Sequence, residues 1–160
     1  KEEFVNLTKK IKNKIPDIGL TTDIIVGFPG ETDDDFQDTL DVVNEVGFEN
    51  AFMFMYSVRS GTPAATMDEQ VSEQVKSERL QQLMRLQNMK AKEETKKYLD
   101  QTIKVLVEGP SKKNPEMLTG RTSTHKIALF KSDRTDLKGK FVNIRVYDTK
   151  TWTLYGEMVE

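Results

Sequence analysis

The sequence predicts an α/β segment followed by an all-β segment, and three observations carry that division. Up to residue 96, apolar residues recur at helical spacing or gather in short β-branched runs, in the order helix, strand, helix, strand, helix. From residue 102 onward the texture becomes short alternating runs parted by Gly, Pro, Asn and Asp. Charge changes at the same place: residues 1–96 hold 12 Lys/Arg against 18 Asp/Glu, a net of −6, whereas residues 97–160 hold 12 against 8, a net of +4. Two domains are expected, 1–96 and 97–160, with different electrostatic tasks.

Each element has its own reason. Phe4, Leu7 and Ile11, with Ile15 in the same register, predict a first helix of about three turns, and Pro16 ends it because it cannot continue the hydrogen-bond ladder. Residues 20–28 (LTTDIIVGF) form a β-branched run closed by Gly27, Pro29 and Gly30, the pattern of a buried parallel strand. Thr32 then caps a helix whose first turn, Asp33, Asp34 and Asp35, suits the positive end of the helix dipole. Phe36, Leu40 and Val43 line its apolar face, and Gly47 suits its end. A second buried strand, 50–56 (NAFMFMY), completes a right-handed β-α-β unit, with Phe52 to Met55 packing on both faces. Residues 60–66 read as a loop. Ser72 opens a long helix carrying Leu80, Leu83, Met84, Leu86 and Met89, whose polar tail from Lys90 to Lys97 reads as a connector. Beyond it, the runs IKVLVEG, MLTGRT, KIALF, KFVNIRVYD and TLYGEMVE predict a small barrel or sandwich of about five strands.

Composition excludes several chemistries. With no cysteine and one histidine, the 160 residues hold no disulfide, no thiolate metal site, no iron–sulfur ligand and no cysteine nucleophile. No apolar run approaches the length of about 20 residues that a spanning helix needs, and the first residues lack the apolar centre of a signal peptide. A cytoplasmic chain with no membrane partner is the expectation. The helical register begins at Glu2 without an initiator Met, so a piece of a longer chain is expected too.

The densest motif is Gly27-Phe28-Pro29-Gly30-Glu31-Thr32, where a parallel strand meets a helix amino terminus. Ligands gather at such carboxyl ends of strands, because glycine lets a backbone approach them and helix N–H groups face them. A tight turn with a good cap explains the same residues equally well. Asp33 to Asp35 read as a charged helix start rather than a cation site, and His125 as neither base nor ligand.

Taken together, TTDIIVGFPGETDDDFQDTL (21–40), FMFMYSVRSGTPAATM (52–67), VLVEGPSKKN (105–114) and LTGRTSTHKIALF (118–130) resemble the radical S-adenosylmethionine methylthiotransferases, and the likeness runs over essentially the whole chain. It implies that 1–96 is the C-terminal portion of a partial (β/α) radical-SAM barrel with a connecting helix. It also implies that 97–160 is similar to a TRAM domain, a small RNA-binding β-barrel. The ending from Lys150 to Glu157 looks most like the branch that adds a methylthio group to a prenylated adenosine in tRNA. The branches that act on a ribosomal protein or on threonylcarbamoyl-adenosine fit less well.

The resemblance implies S-adenosylmethionine and two 4Fe–4S clusters, whose cysteine ligands this chain lacks, so no catalytic residue and no metal ligand is assigned within it and the chain alone is expected to be inactive. Carried over residue by residue, Gly27, Gly30 and Glu31 at one strand end, with Ser57 and Arg59 at the next, would edge the cofactor and substrate cavity. Arg59 would pair with a carboxylate or phosphate through its planar fork, or else join a surface ion pair. Lys112, Lys113, Arg121, Lys126, Lys140 and Arg145 would grip RNA by neutralising phosphates, against the alternative of a solvated charged face. Trp152, Phe130 and Tyr147 either stack on unpaired bases or fill the barrel. The implied partners are a tRNA anticodon stem-loop and the preceding part of the same protein. Self-association through the uncovered sheet is expected as well.

Overall fold

The computed structural model describes residues 1–159 and divides the chain into two compact units, Lys1–Lys90 and Ala91–Glu160. The first unit runs α1 (Glu2–Lys14), β1 (Thr21–Val26), α2 (Asp33–Val46) and β2 (Asn50–Met55), then a 3-10 turn at Pro63–Thr66 and the start of α3 (Glu73–Lys96). β1 and β2 pair in parallel, with Thr21 opposite Asn50 and Val26 opposite Met55, so the α/β reading holds.

Local chemistry explains the best-defined helix. Thr32 Oγ1 accepts from the Asp35 N–H at 3.2 Å and the Asp35 carboxylate accepts from the Thr32 N–H at 2.9 Å, a reciprocal capping box. At the other end Gly47 takes φ 62°, a left-handed conformation that costs glycine little, and donates to the Val43 carbonyl. Phe36, Leu40, Val43 and Val46 are buried from α2 and meet Val5, Val26, Phe48 and Leu83 in one core.

That core lies on one face of the two-stranded sheet. Val26 faces it, and Ile24 and Met53 pack against it, whereas Asp23, Ile25, Phe52 and Phe54 project from the opposite face and are exposed. The expectation of two buried strands, and of Phe52 to Met55 packed on both sides, is therefore corrected. The sheet is half-buried because the described residues place no layer over its second face. Both strands also end sooner than expected, since Gly27 and Tyr56 already belong to the loops. The apolar stripe of α1 is corrected too: Phe4 and Leu7 are exposed, and the helix buries Val5 and Thr8 one position on.

α3 differs from expectation in what it buries. In the first unit it buries Lys76, Arg79, Leu83 and Gln87, while Met84 and Met89 are exposed; in the second it buries Ala91 and Thr95. Gln87 sits fully buried and donates to the Phe48 carbonyl at 3.0 Å. The tail is no bare connector, because Ala91 and Thr95 are fully buried and Thr95 Oγ1 donates to the carbonyls of Ala91 and Thr151.

The second unit is a closed barrel of β3 (Thr102–Pro110), β4 (Leu118–Arg121), β5 (Ile127–Lys131), β6 (Phe141–Thr149) and β7 (Thr153–Val159), in the order β3-β4-β5-β7-β6. All neighbours are antiparallel except β5 and β7. The five predicted runs fall on these five strands. Inward residues Val105, Val107, Ala128, Phe130, Leu137, Ile144, Val146 and Leu154 fill the interior. Phe130 is fully buried and so packs the barrel; the alternative in which it stacks on a base is overturned. Small radius leaves no space at some inward positions: a Cβ on Gly156 would lie 2.8 Å from the Arg145 carbonyl oxygen.

Candidate functional site

In the first unit, the carboxyl end of β1 leads into a buried polar cluster. Arg79 reaches from α3 and donates through Nη1 to the Glu31 carbonyl at 3.1 Å and to its carboxylate at 2.7 Å, and through Nη2 to Asp33 at 2.7 Å. Its guanidinium also lies 5.5 Å from the centre of the Phe36 ring. The other oxygen of Glu31 accepts from the Gly27 N–H at 2.9 Å. One buried arginine thus ties α3 to the turn and to the first residue of α2, through a planar fork that a lysine could not reproduce. Both sides of this pair are withdrawn from water, with side-chain exposures of 8% for Arg79 and 11% for Glu31. Lys76 stands beside it, its ammonium 2.8 Å from Glu73 and 5.3 Å from the centre of the Tyr56 ring. Tyr56 also meets Phe28 edge-on at 5.1 Å.

The five residues expected at the cavity edge fall into two groups here. Gly27 has φ +70°, and a Cβ there would lie 2.4 Å from Lys76 Cγ, so its missing side chain admits a lysine of this same chain. The Gly30 N–H donates to the Glu69 carbonyl at 2.8 Å and the Glu31 N–H to the Phe28 carbonyl at 2.9 Å. The turn therefore spends its backbone donors internally. Ser57 and Arg59, beyond β2, are both exposed, and the Arg59 side chain has no polar partner among the described residues. These two remain available to a ligand.

Lys76 and Arg79 escaped the sequence reading. Their signal was register: with Leu83 and Gln87 they recur every three or four residues on the face that α3 buries in the first unit, the spacing that marks an inward row whatever the residue type.

Among the six cations expected on the second unit, Lys112, Lys113 and Arg145 are exposed and make no ion pair among the described residues. Arg121 is paired with Glu108 at 2.8 Å and Lys140 with Asp136 at 2.7 Å, so each offers a partly neutralised charge. Lys126 is corrected: only 4% exposed, it points its ammonium at the Trp152 ring, 5.9 Å from the centre. Arg134 and Lys140 together hold the Asp136 carboxyl well below the usual carboxylate range. Tyr147 is exposed and Trp152 half-exposed. His125 sits in the turn before β5 with φ 63°, and among the described residues no group of His, Asp and Glu has metal-binding geometry.

Lysines over rings recur on this unit: Lys97 over Tyr98, Lys104 over Phe141, Lys126 over Trp152 and Lys150 over Tyr155, at 5.0 to 5.9 Å. Except for the buried Lys126, these pairs place positive and aromatic groups side by side, a combination that suits phosphates and unpaired bases.

Fold and surface define the class: residues 96–159 match the TRAM domain, so the barrel belongs to a TRAM-domain protein. The chain is 60% identical over 159 residues to the tRNA-2-methylthio-N(6)-dimethylallyladenosine synthase of Fusobacterium nucleatum, covering 99% of this chain and 36% of that protein. Synthases of the same name from Acetivibrio thermocellus and Alkaliphilus oremlandii are 54% and 49% identical, over 99% and 100% of this chain and 33% and 34% of theirs. The chain is thus similar along its whole length to these synthases and spans about a third of theirs. No helix among the described residues is long and apolar enough to cross a membrane.

Proposed function

We propose that this chain is part of a radical S-adenosylmethionine enzyme that installs a 2-methylthio group on a prenylated adenosine beside the anticodon of tRNA. In this reading the barrel grips the RNA and the first unit walls part of the cofactor and substrate cavity. The supporting observation is the 60% identity to a synthase of that reaction, maintained over 99% of a chain whose two units have unlike architectures.

The first unit is then the last portion of a partial (β/α) barrel, and the bare face of β1 and β2 is the surface that the rest of that barrel covers. S-adenosylmethionine and two 4Fe–4S clusters would supply the group-transfer chemistry. The residues present fit no cluster, since the chain has no cysteine, so those ligands would come from elsewhere in the protein. Towards S-adenosylmethionine, Ser57 and Arg59 fit as direct contacts because they are exposed and available, whereas Gly27, Gly30 and Glu31 act by shaping the turn that Arg79 braces. Lys112, Lys113 and Arg145 would carry most of the phosphate contact.

The test adds the full-length protein, with reconstituted clusters, to tRNA bearing the prenylated base. Mass spectrometry should register the methylthio gain; its absence sinks the assignment. A second reading, in which these residues serve only as an RNA-binding module, is favoured by one observation, the self-contained closure of the barrel. Full-length protein that binds tRNA with strong salt dependence yet leaves its mass unchanged would select it.

A further inference from the structure

The outer face of β6 carries a row that neither the barrel core nor the ion pairs explain. Phe141 is 65% exposed, the most exposed large apolar side chain among the described residues. Strand alternation puts Asn143 and Arg145 outward on the same face, and Tyr147 follows at the bulge that ends the regular register. The neighbouring strand β3 contributes Leu106 opposite Phe141 and Lys104 opposite Asn143, and the Lys104 ammonium lies 5.6 Å from the Phe141 ring centre.

Single exposed apolar side chains are ordinary on a protein surface, so it is the surroundings of Phe141 that say which occupant fits. Lys104 lies against the ring and Arg145 stands further along the same strand, and among the described residues the acid paired with the row is Glu157, across from Arg145. The unit as a whole is positive. At about 3.3 Å per residue, Phe141 and Arg145 stand roughly 13 Å apart along the strand, so a bound strand would meet a ring, an amide and a guanidinium in succession. A ring stacks on any base, an amide reads a base edge, and a guanidinium takes a phosphate.

We infer that the β3–β6 outer face is a stacking platform for unpaired RNA, with Phe141 under a base, Asn143 at its edge, and Lys104 and Arg145 on the flanking phosphates. This rests on the RNA-binding role proposed above and deepens it. The determinants are largely residues that charge counting overlooks, because they become neighbours only through strand register.

The platform can be tested with the full chain and two fluorescein-labelled RNAs, a stem-loop with an unpaired purine-containing loop and a blunt duplex of the same stem. Anisotropy should show the stem-loop bound more tightly than the duplex. Phe141→Ala should weaken stem-loop binding roughly 5- to 150-fold while Phe141→Trp restores it. Arg145→Gln should lower the slope of log affinity against log salt by about 0.7. Since Phe141 is exposed, unchanged circular dichroism is expected for all three variants. If the wild-type chain binds and Phe141→Ala binds equally well, the platform is wrong while the RNA grip stands. Should the wild-type chain bind neither RNA, the RNA-binding reading itself fails. A third result also overturns the platform: Phe141→Ala converting a dimer into a monomer in sedimentation, with RNA affinity unchanged, would make this face a contact between copies.

Discussion

The two units solve the problem of a β-sheet's exposed backbone in opposite ways. The second closes five strands into a barrel, so each strand has two neighbours and every inward residue meets another. The first pairs only two strands and covers one face with helices, leaving Asp23, Ile25, Phe52 and Phe54 bare on the other. Closure makes a small unit self-sufficient, and its apolar surface can then be spent on a partner. An open sheet has its apolar surface committed before any partner is considered, because only a covering layer satisfies it.

The contrast is broken most sharply by deleting a ring from each unit. Phe130→Ala in the barrel should cost about 3–5 kcal/mol, since a fully buried side chain leaves a cavity; Trp152, the single tryptophan, reports the urea transition. Phe52→Ala on the bare face should cost less than about 0.5 kcal/mol and should reduce self-association of the chain in light scattering. A comparable loss from both would mean that the second face of the sheet is covered after all, and a wild-type chain that stays monomeric at high concentration would remove the expected self-association.

Next in size is the brace at the strand end. Arg79→Met removes one partner of a buried pair and should cost about 3 kcal/mol, read as faster hydrogen exchange in α2 and in the turn after β1. Replacing Glu31 and Arg79 together by apolar residues should recover much of that loss, because no unpaired charge is left behind. In the barrel, Gly156→Ala should cost about 1–3 kcal/mol by overpacking against the Arg145 carbonyl, and wild-type stability there would show that the strands can part locally.

The smallest effect is at the helix cap. Thr32→Ala should cost about 1 kcal/mol. The Thr32 hydroxyl, followed by its N–H, also holds the Asp35 carboxyl below its ordinary value. Because the folded value is the lower one, this stabilisation is complete above the unfolded carboxylate value near 4 and is lost as pH falls through the folded value. Stability should thus decline on acidification below about pH 4, and the decline should be shallower in Thr32→Ala; equal slopes would detach Asp35 from the cap.

Much of the fold was legible because it rests on local rules. The helix at Asp33–Val46 announced itself through Thr32, three aspartates and Gly47, all of which act within one or two turns. The five barrel strands were readable from alternation, since a closed sheet with one interior imposes a period of two on every strand. Less of the candidate site was legible. Gly27 looked like a ligand cradle because glycine at a strand end permits close approach, yet the group approaching is Lys76, whose place depends on α3 crossing a turn far away in sequence. Lys126 counted as a free cation until the ends of β5 and β7 brought Trp152 beside it.

Sequence by itself determined the element types, the change from α/β to all-β, the capping of α2 and the absence of any cysteine chemistry, because propensity, periodicity and composition are properties of neighbouring residues or of none. Tertiary structure alone decided which lysines are buried, that one arginine locks the β1 turn, which face of the first sheet is bare, and that Lys104 comes to rest over Phe141. Those outcomes depend on contacts between residues tens of positions apart, and the side chains that make them carry no mark of their eventual neighbours.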